Sequence, residues 1–178
     1  NNPDLTVVKI DMKGNWMTPP VQQEAVNAIA ATLSQADAAN GSVYQKSAAD
    51  FKGKITAKET EIKSKLAQAN IASINVICDE QQAGFVKWTG LNVVATYGRP
   101  DSLTPQVLEE LVKKGKEENV TLIIDNMQSG QDAGAGIAEE LGITRVILSN
   151  FSGCFEDTET WEKAIDRNVE LLLEATAR

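Results

Sequence analysis

The chain has 178 residues, of which 42% are hydrophobic and 24% are charged, the composition of an ordinary soluble globular protein. Its net charge of -8 argues against a nucleic-acid partner, because phosphate backbones require a basic surface. The sequence has no histidine, which excludes Ser-His-Asp and Cys-His catalysis within the chain and removes the commonest transition-metal ligand. No apolar run approaches the roughly 20 residues that span a bilayer. The start at Asn1, without methionine, indicates a processed or truncated N-terminus.

The first third of the chain predicts helices that lack a core of their own. Residues 5–10 are compatible with one short strand. A helix then begins at Thr18-Pro19, since Thr often caps helices and Pro suits the first helical position. After an interruption at residues 39–41, a second helical pattern has one apolar stripe, formed by Tyr44, Ala48, Phe51, Ile55, Ile62 and Leu66. We therefore expect residues 1–70 to form a long helical spine that packs against something else.

The remainder, residues 71–178, is predicted to be an α/β domain. Strand-like apolar runs occupy residues 73–78, 92–97, 121–125 and 145–149. Helical patterns follow each run, around Phe85, from Thr104-Pro105, from a Ser129 cap to Gly142, and from about Thr158. This alternation is typical of parallel βαβ units. The predicted fold class is thus α/β, a helical spine followed by a four-stranded, mainly parallel sheet with helices on both faces.

Polar residues follow the end of each predicted strand. Ligands bind outside the carboxyl ends of parallel strands, so these residues are expected to share one rim of the sheet. The ligand-binding candidates are Cys78, Asp79, Glu80, Arg99, Asp125, Ser149 and Ser152. Asp79 and Asp125 are also candidate metal ligands, because carboxylate oxygens suit hard divalent cations.

Several of these candidates have other interpretations. Carboxylates at strand ends can serve as helix caps and turn residues, or as a general acid and base. Arg99 can meet an anionic ligand, but pairing with Asp101 or Asp79 to fix a loop is the favoured interpretation. Cys78 and Cys154 can be unrelated small residues, a disulfide, or thiolate ligands.

Two further motifs predict no chemistry. Residues 129–136 (Ser-Gly-Gln-Asp-Ala-Gly-Ala-Gly) lie where a phosphate cradle can form, but their spacing fails the dinucleotide and Walker patterns. Gly134 and Gly136 are therefore predicted to permit close packing of a helix on the sheet. Ser152 has no histidine to activate it and lacks the GxSxG elbow.

Trp16-Met17-Thr18-Pro19, then a helix, then residues 44–51 (Tyr-Gln-Lys-Ser-Ala-Ala-Asp-Phe) resemble the zinc and manganese receptors of ABC importers. The likeness continues through residues 85–91, 102–111, 122–137 and 161–173, and so covers the linking helix and second lobe of such a receptor. It implies a solute receptor that serves a membrane subunit of an ABC transporter. It also implies a periplasmic or extracellular location, free or anchored through a segment absent from this chain.

The metal-ligand histidines of that family are absent here. The resemblance places one of them on Gly14 and another on Asp79, and places the two carboxylate ligands near Ser102 and on Ser149. Asp125 stands where many members have an acidic residue that is usually not a ligand. The resemblance thus carries the receptor role over to this chain without the ligand set.

We therefore predict a solute-binding receptor, or its C-terminal lobe, that captures a metal ion or another small solute in a cleft between lobes. No cofactor is predicted, apart from a divalent metal ion as the transported ligand. Two other classes stay open. One is a small α/β enzyme that uses clustered carboxylates, and the other is an interaction module that docks a partner through the helical spine.

Overall fold

The computed structural model describes residues 6–177, in which a pair of helices precedes four strands that alternate with helices. The helices are α1 (Pro19–Ala36), α2 (Gly41–Ala69), α3 (Ala83–Thr89), α4 (Pro105–Glu117), α5 (Ala135–Leu141) and α6 (Trp161–Thr176). The strands are β1 (Asn75–Asp79), β2 (Asn92–Tyr97), β3 (Leu122–Asn126) and β4 (Thr144–Leu148). None of these helices is both long enough and apolar enough to cross a membrane.

The four strands form one sheet in the order β2-β1-β3-β4, and every neighbouring pair is parallel. The predicted α/β class and four-stranded parallel sheet are therefore confirmed. Parallel strands are joined by crossover helices, which is why the sheet is covered on both faces. One face packs against α2, α3 and α6, and the other packs against α4 and α5.

The hydrophobic core follows the alternation of side chains along the central strands. In β1, Val76 and Cys78 face the α2, α3 and α6 layer, whereas Ile77 faces α4 and α5. Ile55 and Ile62 of α2 are fully buried in the first of these layers. The helical spine thus packs against the α/β part of the same chain, and the boundary near residue 70 stays a prediction.

Helix boundaries follow local capping chemistry. Thr104 caps α4 by accepting a hydrogen bond from the Val107 backbone N–H at 3.3 Å. Thr18 occupies the cap position of α1, as expected, but its hydroxyl donates to the Asn15 carbonyl at 2.8 Å instead of accepting. Pro19 therefore starts α1 without a side-chain cap.

Three sequence-based expectations were wrong in detail. Residues 6–10 form no strand, because the exposed Val7 and Val8 have no neighbouring strand to pair with, and Leu5 lies outside the described residues. Ser129 does not cap a helix, since α5 begins six residues later at Ala135. The last helix begins at Trp161, after a turn that uses the hydroxyl of Thr158.

Candidate solute-binding site

The parallel topology places the carboxyl ends of all four strands at one edge of the sheet. A cavity of ≈ 410 Å³ opens beside this edge, and we call it the rim pocket. Three segments contribute its walls: the turn before α1, the loop after β1 together with the start of α3, and the loop after β4. Its lining residues are Gly14, Asn15, Trp16, Glu80, Gln81, Gly84, Asn150 and Phe151.

Asn15 joins the three segments of the rim pocket. Its side-chain amide donates to the Gln81 carbonyl at 2.8 Å and to the Asn150 side-chain oxygen at 2.7 Å. The Asn15 side-chain oxygen accepts from the Met17 backbone N–H at 2.8 Å, which fixes the turn that leads into α1. A Cβ atom at Gly84 would lie 3.1 Å from Asn15 Cβ, so glycine allows this close approach.

Gly14, where the resemblance places a family histidine, has a backbone conformation that favours glycine. Its φ angle is 103°, a value that residues with side chains rarely adopt. A Cβ atom built there would also lie 2.9 Å from Val21 Cγ2. The local backbone is therefore unsuited to a histidine at this position.

Ser149, a predicted ligand residue, holds the loop after β4 in place. Its hydroxyl accepts from Gln128 Nε2 at 2.9 Å and from the Phe151 backbone N–H at 3.1 Å. Gln128 Oε1 in turn accepts from the Asn150 backbone N–H at 2.9 Å. Asn168 of α6 bonds both the N–H and the carbonyl of Ser149. Ser149 is buried and does not line the pocket; it holds the loop after β4, which does.

Asp79 lies at the end of β1, buried behind the pocket. Both carboxylate oxygens accept hydrogen bonds, one from the Gln81 backbone N–H at 2.7 Å and one from the Ser129 hydroxyl at 2.6 Å. Burial raises the pKa of Asp79 above its usual value, while these two hydrogen bonds oppose the rise. Ser129 also accepts from Asn126 Nδ2 at 2.7 Å, so Asp79 belongs to an internal polar network.

The Asp125 carboxylate makes a different set of contacts, which are hydrogen bonds and an ion pair within the fold. Its buried carboxylate accepts hydrogen bonds from the Tyr97 hydroxyl at 2.6 Å and the Gly134 backbone N–H at 2.7 Å, and it pairs with Arg145 at 2.6 Å. The hydrogen bond to Asp125 raises the pKa of Arg145. Burial, with Asp125 nearby, raises the pKa of Tyr97. These contacts fasten α5 and β4 to β3, which is a structural role.

The other predicted site residues are dispersed. Cys78 is fully buried in the core, where burial raises the pKa of its thiol to about 12. Both Cys78 and Cys154 are free thiols, so they do not pair. Ser152 is exposed and does not line the rim pocket.

Arg99 is exposed, and within residues 6–177 its guanidinium forms no ion pair with Asp101 or Asp79. The favoured interpretation of Arg99 was therefore wrong in its contact. The loop is instead fixed by the Arg99 carbonyl, which accepts from the Ser102 hydroxyl at 2.7 Å.

The described residues that line the rim pocket are not the side-chain set typical of a metal-binding site. In the part of the chain that the structure describes, no three His, Cys, Asp or Glu residues converge as metal ligands. The pocket instead presents side-chain amides, the carboxylate of Glu80, and two exposed aromatic rings, those of Trp16 and Phe151. Of the predicted candidates only Glu80 lines it.

Sequence reasoning missed the amide and aromatic residues of the pocket. Asn15 contacts Gln81 and Asn150, which lie 66 and 135 positions away in the sequence. An isolated polar residue in a loop belongs to no periodic pattern from which such a contact could be predicted. Trp16 was noticed only as part of a motif. Phe151 had the one usable signal, a large apolar residue directly after a strand-end Asn.

Comparison with known proteins identifies a family model and solved structures that are similar to this chain. The model of the family described as zinc-uptake complex component A, periplasmic, matches residues 13–175. Among solved structures, the SBP FpvC of Pseudomonas aeruginosa with Mn²⁺ is 20% identical, with a TM-score of 0.77 over 95% of this chain and 67% of that one. A mutant laminin-binding adhesin (Lmb) of Streptococcus agalactiae is 24% identical, with a TM-score of 0.74 over 91% and 62% of the two chains.

A Cd-bound periplasmic metal-binding protein of Candidatus Liberibacter asiaticus is 14% identical, with a TM-score of 0.74 over 94% and 68% of the two chains. At such identities the likeness establishes the fold alone. The chain spans about two thirds of the length of these structures. No curated protein matches it. Because the family model covers nearly the whole chain, the resemblance seen in the sequence is confirmed, and this chain belongs to the periplasmic zinc-uptake component A family of metal-binding solute receptors.

Proposed function

We propose that this chain captures a small solute for an ABC-type importer and binds it at the rim pocket. Family membership supports the receptor role, since members are periplasmic components of metal uptake. A protein acting in this way works outside the cytoplasmic membrane and delivers its solute to the membrane subunit of the transporter. In this role it carries the solute without performing chemistry on it.

One observation carries the proposal: three segments that are distant in sequence converge on one pocket at the carboxyl edge of a parallel sheet. That edge is where ligands bind in open α/β sheets. The hydrogen bonds of Asn15 to Gln81 and Asn150 hold the three segments together at the pocket. In a pocket whose loops are already held in place, binding costs less conformational entropy, because fewer loops and side chains have to be immobilised.

Thermal melting of the 178-residue chain tests this proposal. A solute that binds only the folded state, present at 100 times its Kd, adds about 2.7 kcal/mol of stability. For a chain of this size that shift is about 5–10 °C in the melting midpoint. The panel comprises Zn²⁺, Mn²⁺ and Ni²⁺ salts, inorganic anions, and small organic cations and anions.

A matched pair of variants locates the binding. Asn15→Ala removes the link between the pocket segments and should abolish the shift. Asn27→Ala, the same substitution on the exposed side of α1, should preserve it. If no solute in the panel raises the midpoint of the native chain, the receptor proposal fails.

A second candidate function is protein docking through the helical spine. A groove of ≈ 340 Å³ lies between α1 and α2, with apolar walls. Trp16, Ile29 and Leu33 each remain more than 40% exposed along it. Docking of a second copy of this chain predicts concentration-dependent association in sedimentation equilibrium, which Leu33→Glu should abolish. A monomer at all concentrations would argue against that second copy.

A further inference from the structure

We propose that the rim pocket takes an organic cation, with an ammonium or guanidinium group, as its solute. The proposal rests on the receptor function given above and specifies the chemical class of its ligand. It follows from the charge, the exposed rings and the size of the pocket, taken together.

The rim pocket has one carboxylate and no cationic side chain among its described lining residues. Among the eight described residues that line the rim pocket, Glu80 is the only one with a charged side chain. Its carboxylate accepts one hydrogen bond, from the neighbouring Gln81 side chain at 3.3 Å, and forms no ion pair with any residue between 6 and 177. A carboxylate without a cationic partner at a pocket wall favours a positively charged guest. The net charge of -8 raises the local concentration of cations further.

Exposed aromatic rings are the second consideration. Phe151 is 61% exposed and Trp16 is 42% exposed, although both are large hydrophobic residues and both line the same pocket. The face of an aromatic ring attracts ammonium and guanidinium groups through its quadrupole, and Trp binds them best. Aromatic rings and a carboxylate are the side-chain types by which proteins recognise organic ammonium groups, and both types line this cavity.

Size and ligand set separate this guest from a bare metal ion. The cavity of ≈ 410 Å³ lies within the ~300–1,000 Å³ range of small-molecule pockets. A bare divalent cation requires several oxygen or nitrogen ligands converging at about 2–2.6 Å. Among the described residues no three His, Cys, Asp or Glu side chains converge in this way, and both carboxylate oxygens of the buried Asp79 already accept internal hydrogen bonds.

Isothermal titration calorimetry of the whole chain tests the proposal with three probes. Choline supplies a quaternary ammonium, agmatine supplies a guanidinium, and 3,3-dimethyl-1-butanol has the shape of choline without its charge. We expect at least one of the two cations to bind, and the uncharged probe to bind at least tenfold more weakly than whichever cation binds better.

Three variants assign the binding to the pocket. Glu80→Gln and Phe151→Ala each alter an exposed side chain and should leave the melting midpoint unchanged while weakening the cation about tenfold. Glu156→Gln alters an exposed carboxylate outside the rim pocket and should leave the affinity unchanged.

The cation proposal is overturned if neither cation binds, if the uncharged probe binds as tightly as the cation that binds better, or if Glu80→Gln retains full affinity for that cation. Binding of a metal salt or an anion that Asn15→Ala abolishes, without cation binding, would keep the receptor function and reject the cation class. The absence of binding by every probe would reject both.

Discussion

Replacing Asp125 by alanine should destabilise the fold, although the sequence predicted that this residue binds a ligand. The substitution removes a buried acceptor from the Gly134 backbone N–H and ends the ion pair with Arg145. An orphaned buried donor costs about 1–3 kcal/mol. The Tyr97 hydroxyl keeps the Ile124 carbonyl within reach at 3.0 Å, so it is not orphaned. Together with the partly exposed ion pair, the total loss is about 3 kcal/mol, or about 6–12 °C in the melting midpoint.

Asp132→Ala is the matched control for this variant, because Asp132 contacts the same guanidinium at 3.1 Å but is 82% exposed. Exposed carboxylates contribute little, so we expect its unfolding free energy to stay within about 0.5 kcal/mol of the native value. Urea unfolding monitored by circular dichroism measures both variants. Equal losses in the two variants would refute the structural role of Asp125, as would loss of solute binding in Asp125→Ala at native stability.

Other substitutions test the remaining contacts. Burial raises the pKa of Asp79 above 3.8, so the folded state binds a proton more readily and loses stability as pH rises from about 4. Asp79→Asn should therefore gain melting temperature relative to the native chain between pH 4 and pH 7; a constant difference would contradict this. Gly134→Ala places a Cβ atom 2.5 Å from a core side chain and should cost about 1–3 kcal/mol in urea unfolding. Gly53→Ala, in open space within α2, should stabilise by about 0.5–1 kcal/mol. A thiol reagent should label Cys154 rapidly and Cys78 only on unfolding; fast labelling of both would show that the core opens.

The sheet could be predicted because its strands carry a strong local signal. Residues 92–97 were assigned to a strand with the bounds that the structure has, and the other three runs were within two residues. Buried parallel strands read as continuous apolar runs, and the crossover helices between them carry caps and periodic stripes. The same signal explains the wrong strand at residues 5–10, since apolar residues alone do not supply a partner for pairing.

The site was harder to predict than the sheet. The predicted strand ends located the carboxyl edge of the sheet, but they did not show which side chains at that edge face the pocket. Asp125 meets Arg145, a residue within β4 whose sequence position gave no sign of this pairing. Residues 15 and 150 lie in loops, and the bond between them depends on the folded positions of both. Contacts of this kind become visible only when the strands between them are assembled.

The backbone at Gly14 also limits how readily a histidine could be introduced beside the rim pocket. Any L-residue introduced there inherits a strained left-handed backbone as well as contact with Val21. The substitution Gly14→His alone is therefore expected to strain the turn before α1. A laboratory attempt to place an imidazole at this wall of the rim pocket should therefore begin by redesigning that turn.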